Sequence, residues 1–120
     1  MDDRQRKEAG LEAEDDALRY LIQHGLKLVL RNYRCRVGEI DLVMLDGKTL
    51  LVIEVRSRAS QRYGGAAASV TKRKQRRIIN AARFLLVSRR ELQRFPVRFD
   101  VIAIDTLRGT VEWIRDAFTL

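Results

Sequence analysis

The sequence predicts an α/β fold, a central mixed β-sheet flanked by helices, formed by residues 1–120 as a single domain. Two observations set the scale: 120 residues suffice for one compact core, and hydrophobic and charged fractions of 46% and 33% are typical of a globular protein. The third is that apolar patterns of helical and strand period alternate along the chain. They predict the element order α-β-β-β-α-β-β.

The first part of the chain predicts one helix and three strands. Apolar residues recur at helical spacing in the first element: Leu11, Ala17, Leu18, Leu21 and Ile22. They predict a helix from residue 5 to about residue 24 that stops at Gly25. Apolar, β-rich runs then predict strands over 27–35, 39–45 and 50–56. The four residues 46–49, which include Gly47, indicate that the last two strands form a hairpin.

The second part of the chain predicts a helix followed by another hairpin. A glycine-rich loop, Tyr63-Gly64-Gly65, leads into a helix from about residue 69 to residue 88, for which Ser69 or Thr71 is a suitable N-cap. Strands over 97–105 and 111–114 follow, joined by a turn at Arg108-Gly109.

Several classes of protein are disfavoured by composition. The longest apolar runs fall short of the roughly 20 residues that span a bilayer, and the N-terminus lacks the apolar core of a signal peptide, so we expect a cytoplasmic protein with no membrane partner. The single cysteine, Cys35, cannot form an internal disulfide and is interpreted as a small buried residue. The single histidine, His24, excludes chemistry that needs two imidazoles and is expected at a helix C-terminus.

Positive charge is concentrated in one part of the sequence. The net charge is +8, and residues 56–94 hold twelve of the 24 lysines and arginines against one acid, Glu91. We call these twelve residues the basic block: Arg56, Arg58, Arg62, Lys72, Arg73, Lys74, Arg76, Arg77, Arg83, Arg89, Arg90 and Arg94. Such a block favours a nucleic acid, because each neutralised phosphate releases condensed counterions. A solvated helix face and a membrane surface are the alternatives.

Two carboxylates are predicted to meet on neighbouring strands. If residues 46–49 form the loop, paired positions in the hairpin sum to 95, which sets Asp41 opposite Glu54 and Glu39 opposite Arg56. A two-residue turn at 46 and 47 would shift the pairing by two and leave the same residues on the same face. Carboxylates inside apolar strands need a compensating cation, and two of them suit Mg²⁺, with Mn²⁺ as a substitute. The alternative is a cross-strand ion pair of Glu39 with Arg56, which leaves Asp41 and Glu54 solvated.

Each predicted helix aims one charged residue at the sheet. Glu14 falls within the apolar stripe of the first helix. On the second helix, Lys74 aligns with Ile78, Ala82 and Leu85, so it is expected to point inward. The alternative for Lys74 is that its aliphatic stem covers apolar surface while its ammonium stays in water.

Five separated blocks of sequence resemble the YraN family of predicted endonucleases. These blocks are 38–43 (Gly-Glu-Ile-Asp-Leu-Val), 52–58 (Val-Ile-Glu-Val-Arg-Ser-Arg), 63–66 (Tyr-Gly-Gly-Ala), 69–71 with Lys74-Gln75, and 98–101 (Arg-Phe-Asp-Val). The resemblance runs from Glu14 to Trp113. It implies a restriction-endonuclease-like fold, related to archaeal Holliday junction resolvases, and with it branched DNA as a substrate and a homodimer.

The same resemblance assigns roles to the acidic residues. Glu14 matches the helix-borne acid, and Asp41 and Glu54 match the two metal ligands. Arg56, however, stands where the related nucleases carry the lysine of their Glu-x-Lys motif. Lysine can adjust its pKa and, as the neutral amine, help position or deprotonate the attacking water, whereas arginine stays protonated. Lys74 is therefore the candidate to replace the missing lysine.

The sequence thus predicts a Mg²⁺-dependent endonuclease acting on DNA. Its expected catalytic residues are Glu14, Asp41, Glu54, Arg56 and Lys74, with Asp41 and Glu54 holding the metal. Six residues of the basic block are expected to contact nucleic acid: Arg58, Arg62, Lys72, Arg73, Arg76 and Arg77. Two alternatives stay open: a nucleic-acid-binding module without catalysis, and a protein-interaction domain with an incidental basic face.

Overall fold

The computed structural model describes residues 3–58, 70–105 and 107–119. Their centre is one five-stranded sheet in the spatial order β1-β2-β3-β4-β5. The strands span Lys27–Cys35 (β1), Gly38–Asp46 (β2), Thr49–Arg58 (β3), Val97–Asp105 (β4) and Thr110–Phe118 (β5). Neighbours are antiparallel except β3 and β4, which run parallel. The predicted α/β class, mixed sheet and element order are confirmed.

The two helices cover opposite faces of this sheet, as expected for strands that are apolar on both sides. Helix α1 (Asp3–Gln23) packs through Ala13, Ala17 and Leu21 on one face. Helix α2 (Lys72–Ser88) makes the crossover from β3 to the parallel strand β4, and its residues Ile78 and Leu85 pack on the other face. Among the described residues, no helix is long and apolar enough to cross a membrane.

The predicted boundaries hold to within two residues, with three differences. Helix α2 begins at Lys72 rather than near residue 69, and of the two predicted N-caps it is Thr71 whose Oγ1 accepts the Lys74 N–H at 3.1 Å; Ser69 lies outside the described residues, as does the loop at 63–65. A short 3₁₀ helix, Arg90–Arg94, follows α2. Strand β5 continues beyond 114 to Phe118, because an irregularity at Asp116, with φ of 53°, lets Phe118 pair with Phe99.

The structure also shows where the single histidine and the single cysteine lie. His24 follows the last turn of α1, and its Nδ1 lies 2.8 Å from the carbonyl oxygen of Tyr20, so its predicted place at the helix C-terminus is correct. Cys35 is only partly buried, at the end of edge strand β1, where its Sγ lies 3.4 Å from the Gly38 carbonyl oxygen.

Candidate active site

The site begins where strands β2 and β3 separate. Their pairing has the predicted register, with Leu42 opposite Ile53 and Asp46 opposite Thr49, and it stops after Leu42. Asp41 comes next, and its Oδ2 accepts the Val55 N–H at 2.8 Å. The Asp41 carboxylate thus accepts a backbone N–H of β3 that a carbonyl oxygen of β2 would accept in a regular antiparallel pair. Asp41 therefore lies at the opening between the two strands.

Strand β2 also loses its regular alternation at this point. Ile40 packs in the core under α2, whereas Leu42, two residues later, packs in the core under α1. Side chains two positions apart in a regular strand share a face, so the chain must twist between them. Asp41 lies between these two residues, where the strand twists. The regular alternation of side chains that was predicted from the sequence does not hold at this point.

Glu54 is a buried acid from β3. Only 4% of the residue is exposed, and among the described residues its Oε2 has no hydrogen-bond donor. The Nζ of Lys74 lies 3.0 Å from this oxygen as an ion pair that lacks the angles of a hydrogen bond, and Nη1 of Arg56 lies 3.8 Å away. Lys74 therefore does reach inward, while two cations only partly compensate a buried anion.

Asp41 and Glu54 interact directly. Burial, then the hydrogen bond with Glu54 and the negative charge of Glu54, raise the pKa of Asp41 to about 7. The Val55 amide and the Lys74 ammonium oppose this shift. Two carboxyl groups in one low-dielectric site cannot both ionise cheaply, which is why Asp41 keeps its proton to a higher pH than an exposed aspartate does.

Glu14 of α1 completes the acidic side of the site. It is 7% exposed, and Arg31 of β1 donates to its Oε1 from Nε at 3.1 Å while also pairing with Asp15 at 2.8 Å. Burial raises the pKa of Glu14, the bond from Arg31 lowers it, and the charge of Asp41 raises it again. The charge of Asp41 therefore acts on Glu14, but the hydrogen bond that Glu14 accepts comes from Arg31 of β1.

The Asp41–Glu54 pair has the chemistry of a hard-cation site. Mg²⁺ uses one or two protein carboxylates and completes its shell with water and phosphate oxygens. A buried carboxylate oxygen without a hydrogen bond, beside an acid of raised pKa, would be stabilised by such an ion. Among the described residues, no group of three His, Cys, Asp or Glu side chains is arranged to hold a metal, so the donor set fits a two-carboxylate site only.

The remaining predicted residues fall into three groups. Lys72, Arg73, Arg76 and Arg77 are exposed on α2. Arg62 and the side chain of Arg58 lie outside the described residues. The alternative ion pair of Glu39 with Arg56 is wrong: Glu39 pairs with Arg34 across β1 and β2 at 3.6 Å, and Arg56 turns to Glu54, because β2 and β3 have already separated.

Two residues at the site were missed from the sequence, Arg31 and Asn32. Asn32 has φ of 56°, a left-handed conformation, and its side chain helps Arg31 to lower the pKa of Glu14, which burial raises. Both residues lie in a run whose composition predicts an ordinary strand. Only the asparagine itself hinted at an irregular backbone, because asparagine is unusual in strands and is, after glycine, among the residues that best tolerate positive φ.

Fold and site together define an α/β protein with a buried carboxylate pair at an opening between two strands. The model of the family described as "Uncharacterised protein family UPF0102" matches residues 13–104, and the chain belongs to this family. The UPF0102 protein of Ralstonia pickettii (strain 12J) is 57% identical over 114 residues, covering 91% of this chain and 88% of that protein. That of Legionella pneumophila (strain Corby) is 46% identical over 112 residues, covering 93% and 95%. The resemblance to the YraN family is thus confirmed.

Proposed function

We propose that this protein is a Mg²⁺-dependent endonuclease that hydrolyses phosphodiester bonds in DNA. The observation that carries the proposal is the buried Oε2 of Glu54 beside Asp41, which accepts no hydrogen bond among the described residues and has the Lys74 ammonium 3.0 Å away as an ion pair. Buried groups of this kind cost stability and are retained where they bind or react. Asp41 and Glu54 would hold the metal ion. When bound, Mg²⁺ supplies Lewis-acid activation of water and charge stabilisation at the leaving oxygen.

The two basic residues at the site have different capacities. Lysine can release a proton and can therefore act at the attacking water, whereas the guanidinium of Arg56 stays protonated and offers charge and a planar hydrogen-bonding fork to a phosphate. We assign the part played by the Glu-x-Lys lysine in related nucleases to Lys74. The position of its Nζ supports this, because it contacts the same Glu54 oxygen that Arg56 approaches only to 3.8 Å.

The substrate is bound by the basic block. Lys72, Arg73, Arg76 and Arg77 are exposed on the helix that also carries Lys74, so phosphates held on α2 lie along the element that supplies the proposed active-site lysine. Charge of this kind attracts any polyanion without reading base sequence. Branched DNA and a homodimer follow from the resemblance to junction resolvases.

Three variants test the reaction on a four-way junction, a flap and a plain duplex, each with Mg²⁺ and with Mn²⁺. Lys74→Ala should abolish metal-dependent cleavage, with DNA affinity nearly intact because one contact among many is lost. Arg56→Lys should raise cleavage, because it adds a group beside Glu54 that can act as a base. Lys48→Ala removes a lysine exposed at the β2–β3 turn and is the matched control, which should cut like wild type.

Metal binding is measured separately by calorimetry. Asp41→Ala and Glu54→Ala should each abolish most Mn²⁺ binding, since each removes half of the donor set. Unchanged affinity in both variants would refute the metal site.

The second candidate function is a nucleic-acid-binding module that does not cleave. The observation that favours it is Arg56 at the lysine position, since arginine cannot take the lysine's part in proton transfer. This alternative predicts that wild type, Arg56→Lys and Lys74→Ala all bind DNA and that none of them cuts any of the three substrates.

A further inference from the structure

Strand β1 is irregular beside the acidic site. Its pairing with β2 shifts between Leu28 and Leu30, and Asn32 has a positive φ of 56°. The pairs Arg31–Leu42 and Tyr33–Ile40 flank Asn32, so it lies across from Asp41. A left-handed residue that is not glycine costs free energy, and such residues cluster at functional sites. The irregularity in β1 thus faces the point where β2 twists and leaves β3.

Arg31 and Asn32 both act on the Glu14 carboxyl. The Arg31 guanidinium lies 3.0 Å from Glu14 Oε1, and the side chain of Asn32 is, after Arg31, among the groups that lower the pKa of Glu14, which burial raises. Neighbouring residues of a regular strand point to opposite faces. The left-handed backbone at Asn32 breaks that rule and lets two consecutive side chains of β1 converge on one acid of α1.

Arg31 also binds Asp15, the residue that follows Glu14 in α1. Its Nη2 lies 2.8 Å from Oδ1 of Asp15, so one guanidinium joins two consecutive acids of the helix to the strand. A planar guanidinium with two carboxylate partners has a defined orientation. Arg31 therefore fixes the orientation of the Glu14 side chain. The two residues are 17 positions apart in the sequence.

We propose that Arg31 and Asn32 are positioning residues of the active site, which act by holding the Glu14 carboxylate beside Asp41. The inference rests on the proposed function and deepens it. Asp41 and Glu54 would hold the metal, and Glu14 belongs to the surrounding layer: its Oε1 is bound by Arg31 of β1, whereas Oε2 of Glu54 accepts no hydrogen bond among the described residues. Outer residues of this kind orient the ligands and tune the charge at the metal.

Asparagine at position 32 allows backbone and side-chain roles to be separated. Asn32→Gly keeps the positive φ, which glycine adopts without cost, and removes only the carboxamide. Arg31→Met keeps a long apolar stem and removes the guanidinium. Each should weaken Mn²⁺ binding or lower kcat by about tenfold or more, the usual effect of losing an outer residue of a metal site. KM for DNA should stay within about twofold, because neither residue belongs to the basic block.

Arg34→Met is the control, since Arg34 is an exposed arginine of the same strand that pairs with Glu39 rather than with Glu14. Thermal denaturation checks that all variants are folded at the assay temperature, and Asn32→Ala reports separately the cost of a side chain that disfavours positive φ. Calorimetry with Mn²⁺ and steady-state cleavage of a four-way junction are then measured.

The outcomes separate the two proposals. If wild type binds Mn²⁺ and cuts while Asn32→Gly and Arg31→Met match it in both measurements, the positioning role is refuted and the endonuclease stands. A loss in both variants with Arg34→Met unaffected supports the positioning role. Wild-type protein that neither binds Mn²⁺ nor cuts would overturn the endonuclease, and the positioning role with it.

Discussion

At the scale of single residues, the unusual feature is an aspartate whose ionisation opposes folding at neutral pH. Burial and Glu54 raise the pKa of Asp41 from 3.8 to about 7. A carboxyl with a raised folded pKa contributes stability below its unfolded pKa, and that contribution is lost as pH rises through the folded pKa. The metal-free protein should therefore lose stability between about pH 4 and pH 7 through this group.

Asp41→Asn tests this directly, because an amide cannot ionise. Relative to wild type without metal, the variant should gain more than about 1 kcal/mol in the free energy of unfolding between pH 5 and pH 8. Urea denaturation at several pH values measures the difference. Excess Mg²⁺ should reduce it by stabilising the wild-type carboxylate. A difference between the two proteins that does not change with pH would contradict the prediction.

Individual site residues were predictable to the degree that their role followed from helix or strand period. The helical stripe placed Lys74 on the inner face of α2, and the hairpin register brought Asp41 and Glu54 together. Arg31 and Asn32 were not predictable in this way, because their convergence on Glu14 depends on one positive φ angle. A local departure from strand geometry leaves no periodic signal in the sequence.

At the scale of elements, strand β2 and helix α2 touch without an intervening side chain. A Cβ on Gly38 would overlap the carbonyl oxygen of Arg77, which is backbone and cannot rotate away. Gly38→Ala should therefore cost about 1–3 kcal/mol in the free energy of unfolding, as overpacking does. Thermal or urea denaturation measures this, and Gly38→Asn should be at least as costly.

Gly25 is the informative comparison for Gly38. Its φ is 89° and a Cβ there meets nothing within 4 Å, so only the backbone conformation disfavours a side chain. Asparagine tolerates positive φ better than alanine, so Gly25→Asn should be more stable than Gly25→Ala. If asparagine were also the better substituent at Gly38, the close contact with α2 would not be the cause.

Strands β4 and β5 are joined by a fully buried aspartate. Asp100 accepts from Arg98 at 2.8 and 2.9 Å, from Trp113 Nε1 at 2.9 Å and from the Asp116 N–H at 2.9 Å. Asp100→Asn loses charge and acceptors at once and should cost about 3 kcal/mol of stability. Glu112→Gln, at an exposed acid of β5, is the control and should stay within about 0.5 kcal/mol. Equal stability of the two variants would refute a structural role for Asp100.

Hairpins were the most predictable elements because their pairing is local. The β2–β3 register could be counted from the turn, and it is correct. The parallel pairing of β3 with β4 and the extension of β5 to Phe118 depend on contacts between distant parts of the chain. Turn and alternation signals describe neighbours in sequence, so they predicted a mixed sheet without its strand order.

At the scale of the whole molecule, the distribution of charge matters more than its sum. Arg73 and Arg76 are exposed on the face of α2 away from the sheet, while the acids Glu14, Asp41 and Glu54 are gathered among α1, β2 and β3. This separation allows a phosphate backbone to be attracted to α2 without meeting the acidic cluster first. The sequence predicted which segment is basic, and the fold determined that one helix presents five of its charges to solvent: Lys72, Arg73, Arg76, Arg77 and Arg83.

The position of these charges can be tested apart from their number. DNA affinity of the wild type should fall steeply with salt, because binding through phosphates releases counterions. Arg73→Ala/Arg76→Ala should reduce the slope of log affinity against log salt by about 2, one for each lost phosphate contact. Arg19→Ala/Arg34→Ala removes the same charge from exposed positions on α1 and β1 and should leave the slope unchanged. Fluorescence anisotropy with two duplexes of unrelated sequence, measured from low to physiological salt, gives both slopes. If both double variants reduce the slope of log affinity against log salt by the same amount, net charge alone governs binding and α2 is not the DNA-binding surface.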